Sequence, residues 1–330
     1  MARRAVVLMN LGGPDSPAAV RPFLYNLFSD PAIIDLPAPL RYPIAWLIAR
    51  ARSRTAAEIY AHLGGSSPLL ANTEAQARAL EDELGGEYRC FIAMRYWHPL
   101  TQEAVTAVKE WQPDEIVLLP LYPQFSTTTT ASSLRAWREE AQRQGLACPT
   151  REISDYPTEP GFIAALAGQV EQGLAEAAER KMPIRLLFSA HGLPLKIVRK
   201  GDPYPQQVES TAGAVVKLLK SRPDDWRVCY QSRVGPLAWL GPAIDEEIRR
   251  AGRDGVAIVA APISFVSEHS ETLVELDRDY RRVADASGVP FYSRVPTVGT
   301  DPRFIAGLAR LARGEPAAAD EPASAAPMAL

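Results

Sequence analysis

Six apolar, β-branched runs of strand length recur along this chain, at 5–10, 89–95, 115–122, 184–190, 226–232 and 256–264. Amphipathic stretches of helical period lie between most of them, at 72–84, 99–111, 130–144, 160–178, 205–220, 242–251, 271–286 and 302–312. Several of these open on Ser, Thr, Asp or Pro, residues suited to helix starts. Alternation of this kind specifies an α/β protein with parallel sheets covered by helices on both faces. Six strands and at least eight helices suit two doubly wound halves with a ligand crevice between them.

At 330 residues and 47% hydrophobic content, the chain has the size of two globular domains, each able to bury its own core. Turn formers cluster in Ser154-Asp155-Tyr156-Pro157-Thr158-Glu159-Pro160-Gly161. The boundary is expected there, dividing residues 1–157 from 158–314. Residues 315–330 are rich in Ala and Pro without apolar period, and are expected to form a disordered tail.

A formal net charge of -3, from 36 basic and 39 acidic residues, gives no field that would gather nucleic acid. Cys90, Cys148 and Cys229 are odd in number and lack CxxC spacing, which argues against disulfides and a four-thiolate cluster. A reducing cytoplasm fits that usage. The first apolar run is too short for a signal-peptide core, and no stretch approaches the ~20 apolar residues of a spanning helix.

In open α/β sheets ligands collect beyond the carboxyl ends of the strands, so the residues there matter most. They read Asn10-Leu11-Gly12-Gly13-Pro14, Arg95-Tyr96-Trp97-His98-Pro99, Tyr122-Pro123-Gln124-Phe125-Ser126-Thr127, Ser189-Ala190-His191-Gly192, Tyr230-Gln231-Ser232-Arg233 and Ser264-Phe265-Val266-Ser267-Glu268-His269. His191 and Glu271 stand out, because an imidazole and a carboxylate suit Fe(II) or Zn(II) and leave coordination positions open. A histidine that merely ends a strand is the plainer alternative. Glu271, Glu275 and Asp279 follow at i, i+4 and i+8, stacking like charges on one helical face. That face is either solvated, with Arg278 and Arg282 compensating, or a path for cations and protons.

Arg95 and Tyr96 end an apolar strand, where the guanidinium meets either a carboxylate ligand or a structural ion pair. Ser126 and the four threonines after it offer hydroxyls and free N–H groups that favour an anion. Residues 37–54 combine Trp46 in an apolar centre with four arginines, and read equally as an interfacial lip or as a buried amphipathic helix. Gly12-Gly13-Pro14 lacks GxGxxG spacing and no GxxxxGK[ST] occurs, so nucleotide sites are unsupported.

Together these blocks resemble one family, the ferrochelatases. The resemblance rests on Asn10–Pro14, Leu63-Gly64-Gly65-Ser66-Ser67-Pro68, Met94–Pro99, Tyr122–Ser126, Ser189–Pro194, Gly201-Asp202-Pro203-Tyr204-Pro205, Tyr230–Pro236, Trp239-Leu240-Gly241-Pro242 and Phe265–Leu273, in the family's order over residues 4–312. It implies two Rossmann-like halves with a porphyrin cleft between them, and a final helix, 302–312, packed back on the first half. It further implies insertion of ferrous iron into protoporphyrin IX to give protohaem, with His191 and Glu271 as the iron-binding pair. His191 would take pyrrole protons, and Glu275 and Asp279 would continue an acidic relay. Leu11, Ser67, Arg95, Tyr96, Tyr122, Ser126, Ser232 and Trp239 fall where the family lines its cleft or contacts the macrocycle.

Fe(II) is then a substrate and no cofactor is permanently bound. No cysteine follows Cys229, so a [2Fe-2S] cluster is not expected. Leu11 stands where the coproporphyrin-using branch commonly has tyrosine, so the loop resembles the protoporphyrin-using branch. The expected protein is cytoplasmic, a monomer or weak homodimer, with peripheral membrane contact through 37–54. The competing readings are a chelatase for cobalt or nickel, a porphyrin-binding module without catalysis, and a metal-dependent hydrolase. The last lacks HExxH and GxSxG motifs.

Overall fold

The computed structural model describes residues 2–235 and 237–315. Eight strands form two sheets: β1 (Arg4–Asn10), β2 (Tyr88–Met94), β3 (Glu115–Pro120) and β4 (Thr150–Glu152) in the first, and β5 (Ile184–His191), β6 (Asp225–Gln231), β7 (Ala257–Pro262) and β8 (Tyr292–Arg294) in the second. The helices are α1 (Val20–Ser29), α2 (Ala38–Ala61), α3 (Leu69–Leu84), α4 (Thr101–Trp111), α5 (Thr130–Gln144), α6 (Pro160–Ala178), α7 (Leu195–Arg199), α8 (Tyr204–Leu218), α9 (Ile244–Asp254), α10 (Tyr280–Ala286) and α11 (Pro302–Arg313).

Each sheet is parallel throughout, and the two share one strand order, β2-β1-β3-β4 and β6-β5-β7-β8. This is the doubly wound arrangement expected from the sequence. Its order reverses at the first strand of each half, so the switch points lie between β1 and β3 and between β5 and β7.

Alternate side chains of each central strand enter different cores. Val6 and Leu8 of β1 point inward while Ala5, Val7 and Met9 pack beneath α4 and α5. Leu186, Phe188 and Ala190 of β5 likewise point inward, while Leu187 joins the outer core beneath α9. Burial on both faces is what a parallel sheet requires. The two inward faces do not form separate cores, as the chain's size suggested. One continuous cluster runs from Val6 and Leu8 through α3, α6, α8 and α11 to Phe188 and Val259. Helix α11 makes the join, packing on α6 while Arg313 Nη2 donates to the Glu83 carbonyl at the end of α3.

Several elements depart from the sequence reading. β4 and β8 are three-residue edge strands with little buried apolar surface to mark them. α1 and α7 were likewise unmarked. The stretch 271–286 is a π-helix over Glu271–Asp279 that passes into α10, not one α-helix. All of segment 37–54 but Pro37 lies within α2, which rests on α1 through Ala45 and Ala49 and leaves Leu40, Trp46 and Leu47 57%, 46% and 58% exposed. The helix thus packs through one face and leaves large apolar side chains on the other. From residue 316 on, the tail expected to be disordered lies outside the described residues.

Two glycines distinguish a close contact from an open one. A Cβ on Gly161 in α6 would stand 2.1 Å from the Arg303 carbonyl oxygen of α11, whereas one on Gly213 in α8 meets nothing within 4 Å. Gly161→Ala is expected to lower stability by about 1–3 kcal/mol. Gly213→Ala is expected to raise it by about 0.5–1 kcal/mol. Denaturant midpoints of the two variants read out both signs.

Candidate active site

Three strand ends and the π-helix build the site. β5 delivers His191 at the switch point of the second sheet, and the chain that leaves β7 turns into the π-helix that begins with Glu271. His191 Nδ1 donates to Glu271 Oε2 at 2.8 Å. The side chains remain 40% and 27% exposed, so a ligand can reach both. His269 stands behind them, its Nε2 3.9 Å from the same oxygen and its Nδ1 donating to the Ser267 carbonyl at 3.0 Å. Thr272 Oγ1 links back to the His269 backbone and closes the first turn.

The second carboxylate is held by donors instead of by cations. Glu275 accepts from the Ser232 backbone N–H at 2.8 Å, from Ser232 Oγ at 2.6 Å, from Tyr280 Oη at 3.0 Å and from Gln231 Nε2 at 3.1 Å. Ser232 sits at φ +61°, in the left-handed region that non-glycine residues avoid, and this places its N–H and hydroxyl on one carboxylate. Gln231, fully buried, also donates to the Glu271 carbonyl and accepts from Ser189 Oγ. Asp279 ends the π-helix with its side chain 53% exposed, 3.9 Å from Arg282. The three acids thus run from the pair toward solvent, compensated by hydrogen bonds at Glu275 and by Arg282 only at the outer end.

Charge follows from this geometry. Burial disfavours the His191 imidazolium, but the Glu271 charge, the hydrogen bond to it and the more distant Glu275 outweigh that and raise the His191 pKa above its ordinary value. Burial likewise works against the Glu271 carboxylate, yet His191 and then His269 hold it well below the usual range. Glu275 is pushed up by burial and by Glu271, with Ser232 and Tyr280 resisting.

The other predicted residues divide. Trp239 joins the site, its indole edge beside Gly192 immediately after His191. Leu11 is partly exposed at the end of β1, and Ser67 sits across from Gly13 in the same region. Ser232 is spent on Glu275. Arg95 and Tyr96 serve a buried anion of the chain itself: Arg95 Nη2 and Tyr96 Oη donate to Asp30 Oδ2 at 2.7 and 3.0 Å, and Ser132 adds its hydroxyl. Arg95 thus makes a structural ion pair with Asp30. Tyr122 is buried above this network. Ser126 and Thr127 do gather an anion, but it is Asp202 Oδ2, reached from Ser126 Oγ at 3.0 Å and from Thr127 N and Oγ1 at 2.7 Å.

Several contributors escaped the sequence reading. Gln231 lies in a quoted block but carries no charge to mark it. Tyr60 of α2 reaches Ser270 at the foot of the π-helix, and burial pushes its hydroxyl up to about 12. Among the described residues no three His, Cys, Asp or Glu side chains converge as a metal-holding group. Two donors alone suit a metal that arrives and leaves.

A family model described as ferrochelatase matches residues 3–315. A ferrochelatase of Caulobacter vibrioides is 55% identical over 314 residues, covering 94% of this chain and 89% of the relative. A ferrochelatase of a Wolbachia strain from Drosophila simulans is 50% identical over 313 residues, covering 94% and 98%. Among solved structures, SirB from Bacillus subtilis with Fe3+ superposes with a TM-score of 0.54 at 12% identity, covering 94% of each chain. The sirohydrochlorin chelatase SirB with cobalt gives 0.55 at 10% identity. At such identities these structures speak for the fold alone. The family match and the close relatives carry the assignment: this chain belongs to the ferrochelatase family.

Proposed function

We propose that this chain inserts ferrous iron into protoporphyrin IX to form protohaem, the terminal step of haem biosynthesis, with His191 and Glu271 handling the metal and the pyrrole protons. One observation carries the site assignment: an imidazole and a carboxylate, 80 residues apart, meet at 2.8 Å on the open end of the second sheet. Family membership supplies the reaction.

Insertion exchanges one Fe(II) for two pyrrole protons. A flat porphyrin hides its nitrogen lone pairs in the ring plane, so binding it bent favours the transition state over the free ring. Glu271 and His191 replace part of the water on the incoming iron. With its raised pKa, His191 is an effective proton acceptor, and its proton must leave before the nitrogen can hold a metal. Glu271 stays ionised in both situations, paired first with the imidazolium and then with iron. Glu275 and Asp279 continue outward from it, which supports their role as the relay to solvent.

Leu11, Ser67 and Trp239 are partly exposed and are the residues we assign to contact with the macrocycle. Cys90 lies in β2, Cys148 before β4 and Cys229 in β6, a distribution that supports activity without an iron–sulfur cluster. Among the described residues no helix is long and apolar enough to cross a membrane. Peripheral contact through α2 is supported by exposed Leu40, Tyr42, Trp46 and Leu47, with Arg21 and Arg50 stacked 5.2 and 5.9 Å from the Trp46 ring.

Four outcomes follow. Under anaerobic conditions with Fe(II) and protoporphyrin, His191→Ala should lose on the order of 10²–10⁴-fold in haem formation while keeping its fold. A shifted porphyrin spectrum without haem in the unaltered protein would instead mark a binding module. Because protons compete with iron at a histidine of raised pKa, kcat/KM for iron should rise with pH through a midpoint above about 6.5. Glu271→Gln, which removes the charge that raises that pKa, should bring the His191 midpoint down, read by NMR titration of the imidazole. Leu40→Ser with Leu47→Ser should weaken co-flotation with anionic vesicles and leave insertion into detergent-solubilised porphyrin intact.

A further inference from the structure

The π-helix Glu271–Asp279 carries the acids of the site, and a π-turn is an uncommon backbone that persists where surroundings hold it. Its surroundings include a fork. Arg294, the last residue of β8, donates through Nε and Nη2 to Asp277 Oδ1 and Oδ2 at 2.7 and 2.6 Å, and through Nη1 to Glu268 Oε1 at 2.8 Å. Glu268 precedes the π-helix and Asp277 lies near its end, so one guanidinium closes both ends of the stretch bearing His269, Glu271 and Glu275. The Arg294 side chain is only 9% exposed. The same short strand adds Tyr292 Oη, which donates to the Leu276 carbonyl at 2.9 Å, and the chain just beyond it adds the Thr297 N–H on Glu268 at 2.9 Å. None of these groups bonds His191 or the Glu271 carboxylate.

We infer that Arg294 is a positioning residue: its fork between Glu268 and Asp277 fixes the π-turn that keeps Glu271 within reach of His191, and thereby sets the affinity for the incoming metal. A planar, permanently charged guanidinium can serve two carboxylates at once, which a lysine ammonium cannot do with the same geometry. Without the fork, two carboxylates repel within one segment and the wide turn is free to tighten, moving Glu271 relative to β5. This inference rests on the assignment of His191 and Glu271 to the metal.

Asp277→Asn and Arg294→Lys test it. Asp277 is partly exposed and Asn keeps its shape, so the fold survives even if the arginine variant weakens it. Expected are a rise of about tenfold or more in KM for Fe(II), and a matching loss in Co(II) affinity by calorimetry, as for other groups that orient a metal ligand. The KM for protoporphyrin stays unchanged. The double variant should be no worse than the poorer single, since both remove one fork. The inference is overturned if folded Asp277→Asn and Arg294→Lys keep the iron KM within twofold, or if the iron and porphyrin constants rise together. Glu271→Gln in the same assay separates the two claims: full insertion by that variant refutes the site assignment itself, whereas its loss beside an unchanged Asp277→Asn refutes only the clamp.

Discussion

The hydrogen bond between His191 and Glu271 is the point on which the second half of this molecule converges. Withdrawing a carboxylate from water costs several kcal/mol unless partners replace the lost hydration. Glu271 has His191 at 2.8 Å for that purpose, with His269 behind. Placing Glu275 on the same helix adds like-charge repulsion, and the structure answers with four donors and one backbone residue held at φ +61°. Such a conformation costs of order 1–3 kcal/mol, which the two bonds it creates to Glu275 offset. Stability has been exchanged for a fixed row of acids.

The first half contributes by bracing the segment that leads into the π-helix. Gln76 of α3 is fully buried and donates to the Val266 and Gly299 carbonyls at 2.9 and 3.0 Å, while accepting from Ser267 Oγ. Asn72 Nδ2 donates to the Glu268 carbonyl at 2.8 Å. On the other side of the join, Gln124 donates to Thr211 Oγ1 and the Ile263 carbonyl, next to the Asp202 contacts of Ser126 and Thr127. The carboxyl ends of β3 and β7 are thereby tied to each other, which brings the two switch points onto one side of the molecule.

Much of this was legible in the residues. Long apolar strands announce themselves because both faces of a parallel sheet are buried, and a histidine ending such a strand is conspicuous. His191 and Glu271 stand out by their chemistry, and the family likeness implies their role as a pair, but nothing local shows that positions 80 apart meet. The π-helix was illegible for a different reason: over nine residues, acids at i, i+4 and i+8 fit a wider turn as well as an α-turn. β8 is too short to show alternation, although it supplies Arg294. Asp30 reads as a turn residue in Ser29-Asp30-Pro31, and only the folded chain shows it buried beneath Arg95, Tyr96 and Ser132. In the hydroxyl run 126–130 Ser126 and Thr127 meet the chain's own Asp202, which sequence cannot tell from an external anion.

The fused inner core sets how the molecule can move. Two domains with separate cores can swing about a linker, whereas here a hinge motion would pull α6 and α11 from their neighbours and wet a continuous apolar layer, at roughly 25 cal/mol for each Å² exposed. Rigid-body opening is therefore closed to this chain. Room for a broad planar guest to enter and depart has to come from loops and side chains at the periphery, while the two sheets stay locked together.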